Sequence, residues 1–215
     1  MKSRWEQGAA EQYAEAHTTA ELPVLQRLVR ETHLKTTLPR MLSGHLQGAL
    51  LSLFSEMVRP TNILEIGTFT GYSAICLAQG LAPNGKLITI DNNEETLEIA
   101  RRYFAEAGIA DKIEVCVGDA AQILPQLNEV FDMVFIDADK RQNATYYEMV
   151  LPKVKTGGYI LIDNVLWSGK VIPPAATDKD TATIAAFNRM VQQDSRVKNI
   201  LLPIRDGLMI AQKLS

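Results

Sequence analysis

The sequence has few cysteines, few histidines and no long apolar run. The two cysteines, Cys76 and Cys116, have no neighbour at the spacing of a metal site, so we expect buried free thiols. The longest apolar stretches, such as residues 133–136 and 159–162, have the length of a strand. They fall far short of the roughly 20 residues that a membrane-spanning helix needs. We therefore expect a protein without a membrane span.

Neither sign of charge is in large excess. The chain has 22 Lys and Arg and 25 Asp and Glu, which gives a net charge of −3 and a pI near 5.7. That balance lacks the global signature of a nucleic-acid-binding protein but does not exclude a local basic patch. We interpret the candidates for such a patch as solvated cations on helix faces. These are Arg27, Arg30, Lys35 and Arg40. Residues 1–8 lack the apolar core of a secretory signal, so we expect a cytoplasmic protein.

At 215 residues and 47% hydrophobic content, the chain can bury one full core, which predicts a single domain over residues 1–215. Residues 1–58 have a helical pattern and are expected to form an N-terminal helical extension. Thr18 and Glu21 have the spacing of a capping box, which predicts the start of the first of these helices. The apolar positions at helical spacing are Leu22, Leu25, Leu28 and Val29 on one face, and Leu46, Ala49, Leu50, Leu53, Phe54 and Met57 on another.

Residues 60–215 alternate short β-rich runs with segments long enough to be helices, and we expect them to form the cofactor-binding core. The runs are residues 63–66, 86–90, 113–117, 131–136 and 158–162. This alternation predicts a parallel sheet with helices on both faces, which is a Rossmann-like, doubly wound α/β fold.

The last two β-rich runs, residues 199–204 and 208–213, are separated only by Arg205, Asp206 and Gly207. A link this short cannot form a parallel crossover, so the two runs predict an antiparallel hairpin. Asp206 and Gly207 are expected at the positive-φ positions of its turn. The full prediction is a seven-stranded sheet that is mostly parallel and ends in this hairpin.

A glycine-bearing turn, from Glu65 to Ser73, follows the first strand at the edge where doubly wound folds bind ligands. The spacing of Gly67 and Gly71 departs from G-x-G-x-x-G, so the turn is poorly suited to a pyrophosphate. It is compatible with a ligand that lacks phosphates. Glu65 could accept a hydrogen bond from an ammonium group, and S-adenosylmethionine carries one.

Acidic residues also follow the second and third strands. Asp91 could accept from both ribose hydroxyls, which alone does not separate NAD from S-adenosylmethionine. Asp119 could meet an adenine amino group, and Ala120 offers its backbone N–H. Any one of these acids could instead be a turn former or a helix cap. Acids at four strand ends in a row, together with Glu65, favour a nucleoside-type ligand.

The fourth and fifth strands end in Asp137 and in Asp163-Asn164, so these side chains should converge at one edge of the sheet. Two carboxylates and an amide form an all-oxygen set that suits Mg²⁺ above all, or Mn²⁺ or Ca²⁺, with positions left for substrate. The histidines lie in the N-terminal helical part and are expected to be surface or packing residues; they are His17, His33 and His45.

Four segments together carry a resemblance to a known family. They are Met41-Leu42-Ser43-Gly44 with Gln47-Gly48, the turn from Glu65 to Ser73, Asp137-Ala138-Asp139-Lys140, and the segment from Asp163 to Val171. From about Tyr13 onward the chain resembles the cation-dependent O-methyltransferases, which include catechol O-methyltransferase and the plant caffeoyl-coenzyme A enzymes. A mostly parallel sheet ending in a hairpin is also similar to the class I methyltransferase sheet.

The resemblance implies a metal held by Asp137, Asp163 and Asn164, with Lys140 as the general base. It also implies a homodimer, for which the N-terminal helices are the natural interface. The residues expected at S-adenosylmethionine are Met41, Leu42, Ser43, Glu65, Gly67, Ser73, Asp91, Asn92, Asp119, Ala120, Asp137 and Asp139.

The acceptor follows from the chemistry of the metal. A phenol has a pKa of about 10, so its oxyanion is scarce at neutral pH unless a cation stabilises it. A metal held by three side chains leaves room for two substrate oxygens, which favours a catechol-type acceptor with neighbouring hydroxyls. Lys140 could take the proton if its pKa is depressed, or act as an electrostatic clamp. Asn164 and Trp167 are the other residues expected at the acceptor.

Trp167 begins a long segment without periodicity, running to Pro173 and Pro174, that could be an active-site lid. Trp167 could equally be a hydrophobic anchor for that loop. Two other functions stay open. One is methylation of a hydroxylated uridine in transfer RNA, against which the acidic pI argues modestly. The other is a non-catalytic nucleoside-binding or NAD-dependent protein, against which the missing G-x-G-x-x-G and the metal residues argue.

Overall fold

We describe residues 4–173 and 177–215 of a computed structural model, with side chains from residue 8 onward. Three helices come first: α1 (Arg4–Ala16), α2 (Pro23–Lys35) and α3 (His45–Val58). The predicted capping box is wrong. The Thr18 hydroxyl donates to the Ala14 carbonyl at the end of α1, over 2.7 Å. Helix α2 begins instead at Pro23, whose fixed φ suits a first helical turn.

Helix α3 buries a different face from its most apolar one. Its buried residues include Gly48, Leu51 and Ser55, while Leu53 and Met57 are 57% and 75% exposed. The reason is close packing on the next helix, α4 (Tyr72–Ala78), because a side chain at position 48 would lie 2.7 Å from the Tyr72 ring. Small residues let the two helices approach, which leaves an apolar stripe of α3 facing outward.

The predicted fold is confirmed. The strands are β1 (Asn62–Ile66), β2 (Lys86–Asp91), β3 (Ile113–Val117), β4 (Phe131–Ile136), β5 (Val154–Asp163), β6 (Val197–Leu202) and β7 (Leu208–Lys213). They form one seven-stranded sheet in the order β3-β2-β1-β4-β5-β7-β6. The first five strands run parallel, and β7 is antiparallel to both β5 and β6.

Helices cover both faces of the sheet. On one face, residues of α2, α3, α4 and α5 (Glu94–Glu106) bury an apolar cluster. On the other, α6 (Ala120–Ile123), α7 (Asn143–Val150) and α8 (Lys179–Gln193) bury a second. Cys76 in α4 is buried and Cys116 in β3 half-buried, and both are free thiols, as predicted. Among the helices of the described ranges, none is long and apolar enough to cross a membrane.

The hairpin between β6 and β7 is confirmed, but its turn differs from the prediction. Strand β6 ends at Leu202, and the positive φ angles fall on Arg205 (50°) and Gly207 (88°), not on Asp206. Asp206 instead accepts two hydrogen bonds from the loop after β5: its carbonyl accepts from Leu166 N–H, and its carboxylate accepts from Ser168 N–H. The turn is therefore shaped by its contacts with the loop that follows β5.

Candidate functional site

A cavity of about 550 Å³ opens at the carboxyl ends of β1 to β5, a size typical of small-molecule sites. The structure brings most of the predicted site residues to its wall. They are Met41, Leu42, Ser43, Gly67, Ser73, Asp91, Asn92, Asp119, Ala120, Asp137, Asp139, Lys140, Asp163 and Asn164. Glu65 and Trp167 are the two predicted residues that do not line it.

The turn after β1 lies directly against the end of β4. Gly67 N–H donates to the Ile90 carbonyl over 2.9 Å, and Asp137 N–H donates to the Ile66 carbonyl over 2.8 Å. Gly67 has a φ of 102°, and a Cβ there would lie 2.3 Å from the Asp137 carbonyl oxygen. Only glycine fits this position, so its role in the structure is to bring the turn and the predicted metal ligand together.

Glu65 lies beneath the cavity floor rather than on its wall. Its carboxyl is fully buried and accepts from Ser73 Oγ over 2.6 Å and from Thr89 Oγ1 over 2.5 Å. Burial raises the pKa of Glu65 to about 8 despite these two hydrogen bonds. Its predicted contact with an ammonium group stays a prediction, and the structure offers Ser73, which does line the cavity, as the group between them.

Two backbone amides hold the Asp91 carboxylate at the carboxyl end of β2. Its Oδ2 accepts from Phe69 N–H over 2.8 Å and its Oδ1 from Asn93 N–H over 3.0 Å. Phe69 belongs to the turn after β1 and has a φ of 49°, so the carboxylate ties that turn to the second strand. Asp91 thereby keeps a defined orientation where a ribose is expected.

Two other acids cap helical segments while lining the cavity. Asp119 is the N-cap of α6, with Oδ1 accepting from Ala121 N–H over 2.9 Å. Asp139 is the N-cap of a short 3₁₀ segment, Lys140–Gln142, and also pairs with the Arg141 guanidinium. The helix-cap interpretation is correct for Asp119, and Asp139 is a cap that was not predicted. Capping does not exclude a role at the ligand, because both line the cavity as well.

Asp137 and Lys140 form an ion pair, with Lys140 Nζ 2.5 Å from Asp137 Oδ1. Burial raises the pKa of Asp137 to about 6, and the negative charge of Asp163 adds to this while Lys140 opposes it. The two carboxylates therefore act on each other electrostatically at the adjacent ends of β4 and β5. A second positive charge at this place would stabilise both as anions.

Asp163 is 2% exposed and anchored on both sides. Its Oδ2 accepts from Gln47 Nε2 over 2.9 Å, and its Oδ1 accepts from Asn164 N–H over 2.8 Å. Asn164 itself has a φ of 60°, a conformation that asparagine tolerates better than most residues. Each carboxylate oxygen keeps a lone pair free for a further ligand.

These residues fit a hard divalent cation. Two carboxylates and an amide oxygen stand at one end of the cavity, and Mg²⁺ is commonly held by one or two carboxylates while retaining other oxygen ligands. Across residues 4–173 and 177–215, no cluster of three His, Cys, Asp or Glu side chains is placed to hold a metal. An aspartate pair completed by an amide is thus the donor set that this chain offers.

Gln47 and Arg205 join the site without having been predicted there. Arg205 lines the cavity, and its Nη1 donates to the Ser43 carbonyl and, over 3.3 Å, to Gln47 Oε1. Gln47 in turn donates to Asp163. The signal in the sequence for Gln47 was its place in a segment that carries the family resemblance, and a fully buried amide needs partners.

Trp167 follows the fifth strand but lies outside the cavity wall. It has a φ of 50°, and its carbonyl accepts from Lys170 N–H over 3.0 Å. Its indole N–H is buried and has no partner among the described residues. The predicted roles of Trp167 at the acceptor and of this loop as a lid stay predictions, and Pro174 lies outside the described residues.

Comparisons with known proteins agree on one family. Residues 15–214 match the family model described as O-methyltransferase. Caffeoyl-CoA O-methyltransferase 1 of Eucalyptus globulus is 34% identical over 180 residues, covering 79% of this chain and 73% of that protein. The O-methyltransferase TomG from Streptomyces achromogenes, solved in complex with SAM, is 32% identical with a TM-score of 0.88, and each chain is covered completely.

The SAH-bound methyltransferase PaMTH1 of Podospora anserina has a TM-score of 0.91 over all of this chain and 98% of that one. At 24% identity, that likeness speaks for the fold alone. The family model and the sequence relatives confirm the predicted resemblance, and the chain belongs to the O-methyltransferase family.

Proposed function

We propose that this protein transfers the methyl group of S-adenosylmethionine to a hydroxyl of a catechol-type small molecule and requires a divalent cation for it. The observation that carries the proposal is the division of one cavity into two chemically distinct ends. Acids after β2 and β3 stand at one end, and Asp137, Asp163 and Asn164 stand at the other. The first set suits a methyl donor and the second a metal-bound acceptor.

The donor end matches the polar groups of S-adenosylmethionine. Asp91 and Asp119 line the cavity at the ends of β2 and β3, which supports contacts of Asp91 with ribose hydroxyls and of Asp119 with an adenine amino group. The turn around Gly67 leaves backbone and Ser73 facing the cavity without the N–H cradle of a pyrophosphate site. The solved neighbour TomG is in complex with SAM, which supports this ligand class.

At the acceptor end, Asp137, Asp163 and Asn164 would hold Mg²⁺, or alternatively Mn²⁺ or Ca²⁺. The cation would supply Lewis acidity that favours the deprotonated hydroxyl. Gln47 keeps the Asp163 carboxylate in place, and Lys140 stands next to Asp137. Three protein ligands leave positions for two neighbouring hydroxyls, and for this reason we favour catechols.

We propose that Lys140 acts on the acceptor hydroxyl that loses its proton. Its Nζ lines the cavity beside Asp137, close to where a hydroxyl at the metal end would lie. As a neutral amine it would take the proton, and as an ammonium it would stabilise the oxyanion by its charge. A substitution that keeps the positive charge but cannot accept a proton distinguishes these two roles.

We expect Lys140→Ala to lower kcat about 100-fold while leaving metal affinity within a few-fold, since general base catalysis is typically worth 10²–10⁴-fold. Lys140→Arg keeps the positive charge without a usable base, so it restores activity only if the residue acts as a clamp. Lys198→Ala, on the exposed side of β6, is the matched control. Parental activity of Lys140→Ala would show that Lys140 has neither role.

The direct test of the proposed function uses purified protein, labelled S-adenosylmethionine and 3,4-dihydroxybenzoate or caffeate as acceptor. We expect methylated product, and EDTA should lower turnover at least about 100-fold, with recovery on adding Mg²⁺. Bulk transfer RNA is assayed beside the catechols. Turnover that EDTA does not affect would contradict the metal requirement, and labelling of transfer RNA alone would favour the uridine-modifying relatives.

We further propose that the protein is a cytoplasmic homodimer. The outward apolar stripe of α3, with Leu53 and Met57 exposed, is the surface that supports a self-association through the N-terminal helices. Exposed apolar side chains in a row on one helix are a common feature of subunit interfaces.

A further inference from the structure

Arg205 brings a guanidinium into the acceptor end of the cavity. It lies in the turn between β6 and β7, and only its Nη1 is engaged, by the Ser43 carbonyl and Gln47 Oε1. Gln47 also donates to Asp163, so Arg205 stands two hydrogen bonds away from a predicted metal ligand. Its link to Asp163 through Gln47 brings Arg205 to the acceptor end, while its bond to Ser43, a residue predicted at the methyl donor, reaches toward the donor end.

Asp137 and Asp206 act on Arg205 through their charge, but neither makes a salt bridge to its guanidinium. The other cation at this end, Lys140, has Asp137 as its partner. Arg205, in contrast, takes part in no ion pair within the described ranges, and its Nε and Nη2 make no hydrogen bond there. The guanidinium is fixed through one nitrogen, and its other N–H groups are free at the cavity wall. They can therefore donate to a ligand in the cavity.

An arginine fork has a definite preference in what it binds. Its planar N–H groups match the two oxygens of a carboxylate, and such charge-assisted hydrogen bonds are about twice as strong as neutral ones. Asp91 and Asp119, which follow β2 and β3, make the donor end acidic, whereas Arg205 offers unengaged N–H groups to an anionic ligand group at the other end. The exposed Arg40, also on the cavity wall, adds to this positive potential.

We propose that Arg205 is a specificity-determining residue that binds a carboxylate on the acceptor, so that dihydroxy-aromatic acids are preferred to neutral catechols. The inference rests on the proposed function, because it names which catechols the same site takes. The two neighbouring hydroxyls belong at Asp137, Asp163 and Asn164, and the carboxylate belongs at the guanidinium.

The test compares 3,4-dihydroxybenzoate with 3,4-dihydroxybenzamide, which have the same hydroxyls and differ in charge. The readout is the ratio of their kcat/KM values in the parent, Arg205→Gln and Arg205→Lys. We expect the ratio to fall about tenfold in Arg205→Gln and about two- to threefold in Arg205→Lys. The ratio cancels any loss that affects both acceptors equally, such as loss of the bonds to Ser43 and Gln47.

Arg189→Gln is the matched control, because it removes the same charge from an exposed position of α8 outside the cavity wall. Its ratio should equal that of the parent. An unchanged ratio in Arg205→Gln would overturn the inference. So would a variant whose only defect is a raised KM for S-adenosylmethionine, since Arg205 would then bind the carboxylate of the donor.

Calorimetry separates this inference from the proposed function. 3,4-Dihydroxybenzoate is titrated into the full chain saturated with SAH and Mg²⁺, and we expect Arg205→Gln to weaken binding about tenfold. If no acceptor is methylated but this difference in binding is found, the proposed function fails and the inference stands. Equal affinities of the parent and Arg205→Gln, or no binding to either, would overturn the inference.

Discussion

Asp137→Ala is expected to lower kcat/KM for a catechol acceptor at least about 1000-fold while the protein stays folded. A cation that stabilises a developing oxyanion is worth several kcal/mol of barrier, and each 1.4 kcal/mol is a factor of ten. Losing one of two carboxylates should also abolish Mn²⁺ binding, which calorimetry measures directly. The kinetic and the binding losses are therefore expected together.

The fold should survive because the contacts that hold residue 137 in place are made by its backbone. Asp137 N–H donates to the Ile66 carbonyl, and the Asp137 carbonyl lies against Gly67. Burial raises the pKa of Asp137 to about 6, so the carboxylate is an unfavourable group to bury; removing it relieves repulsion with Asp163 and takes away the ion pair with Lys140, and these two effects oppose each other.

Circular dichroism and urea unfolding check that the variant is native. Asp137→Asn, which keeps the shape and one ligand oxygen, should lose activity as well but by a smaller factor. Asp111→Ala, at an exposed position between α5 and β3, is the control for loss of an aspartate. A native Asp137→Ala that binds Mn²⁺ like the parent would remove this residue from the metal site.

The largest effect on stability is expected at Gly67. Gly67→Ala should lower the free energy of unfolding by about 2–5 kcal/mol, because two costs add. A positive φ costs about 1–2 kcal/mol for a residue with a Cβ, and overpacking adds about 1–3 kcal/mol. The clash is with backbone, since the new Cβ would lie 2.3 Å from the Asp137 carbonyl oxygen, so a rotamer change cannot relieve it.

Gly157 separates these two costs. It has a φ of 82° within β5, and a Cβ there would meet nothing within 4 Å. Gly157→Ala should therefore show the conformational cost alone, about 1 kcal/mol, in urea unfolding followed by circular dichroism. Equal losses of stability in both variants would mean that the approach of the turn to β4 is not what requires glycine at position 67.

The strands and their acidic ends could be predicted because both depend on local sequence. A strand buried on both faces is a continuous apolar run, and it stops where a charge appears. β4 was predicted with its bounds, Phe131–Ile136, because its apolar run from Met133 onward is followed at once by Asp137; Asp132 is a charged residue within the strand. Parallel strands end at the same edge, so knowing where each one stops was enough to bring the acids together.

What could not be predicted depends on contacts between distant parts of the chain. The bond from Arg205 to Ser43 joins residues 162 positions apart, and no local pattern marks it. The burial of Glu65 beneath the cavity was missed for the same reason, because it depends on Thr89 of the neighbouring strand. The capping box failed for a different, local reason, since the Thr18 hydroxyl donates to the Ala14 carbonyl four residues earlier.

The turn between β6 and β7 also determines when the site can be completed during synthesis. Residues predicted at the methyl donor all lie between positions 41 and 139, whereas the acceptor end needs Arg205 and the contacts of Asp206 with Leu166 and Ser168. Arg205 and Asp206 lie near the end of the chain, and the bonds from Arg205 to Ser43 and Gln47 close loops of more than 150 residues. We therefore expect a nascent chain to assemble the donor half first and to complete the acceptor half last.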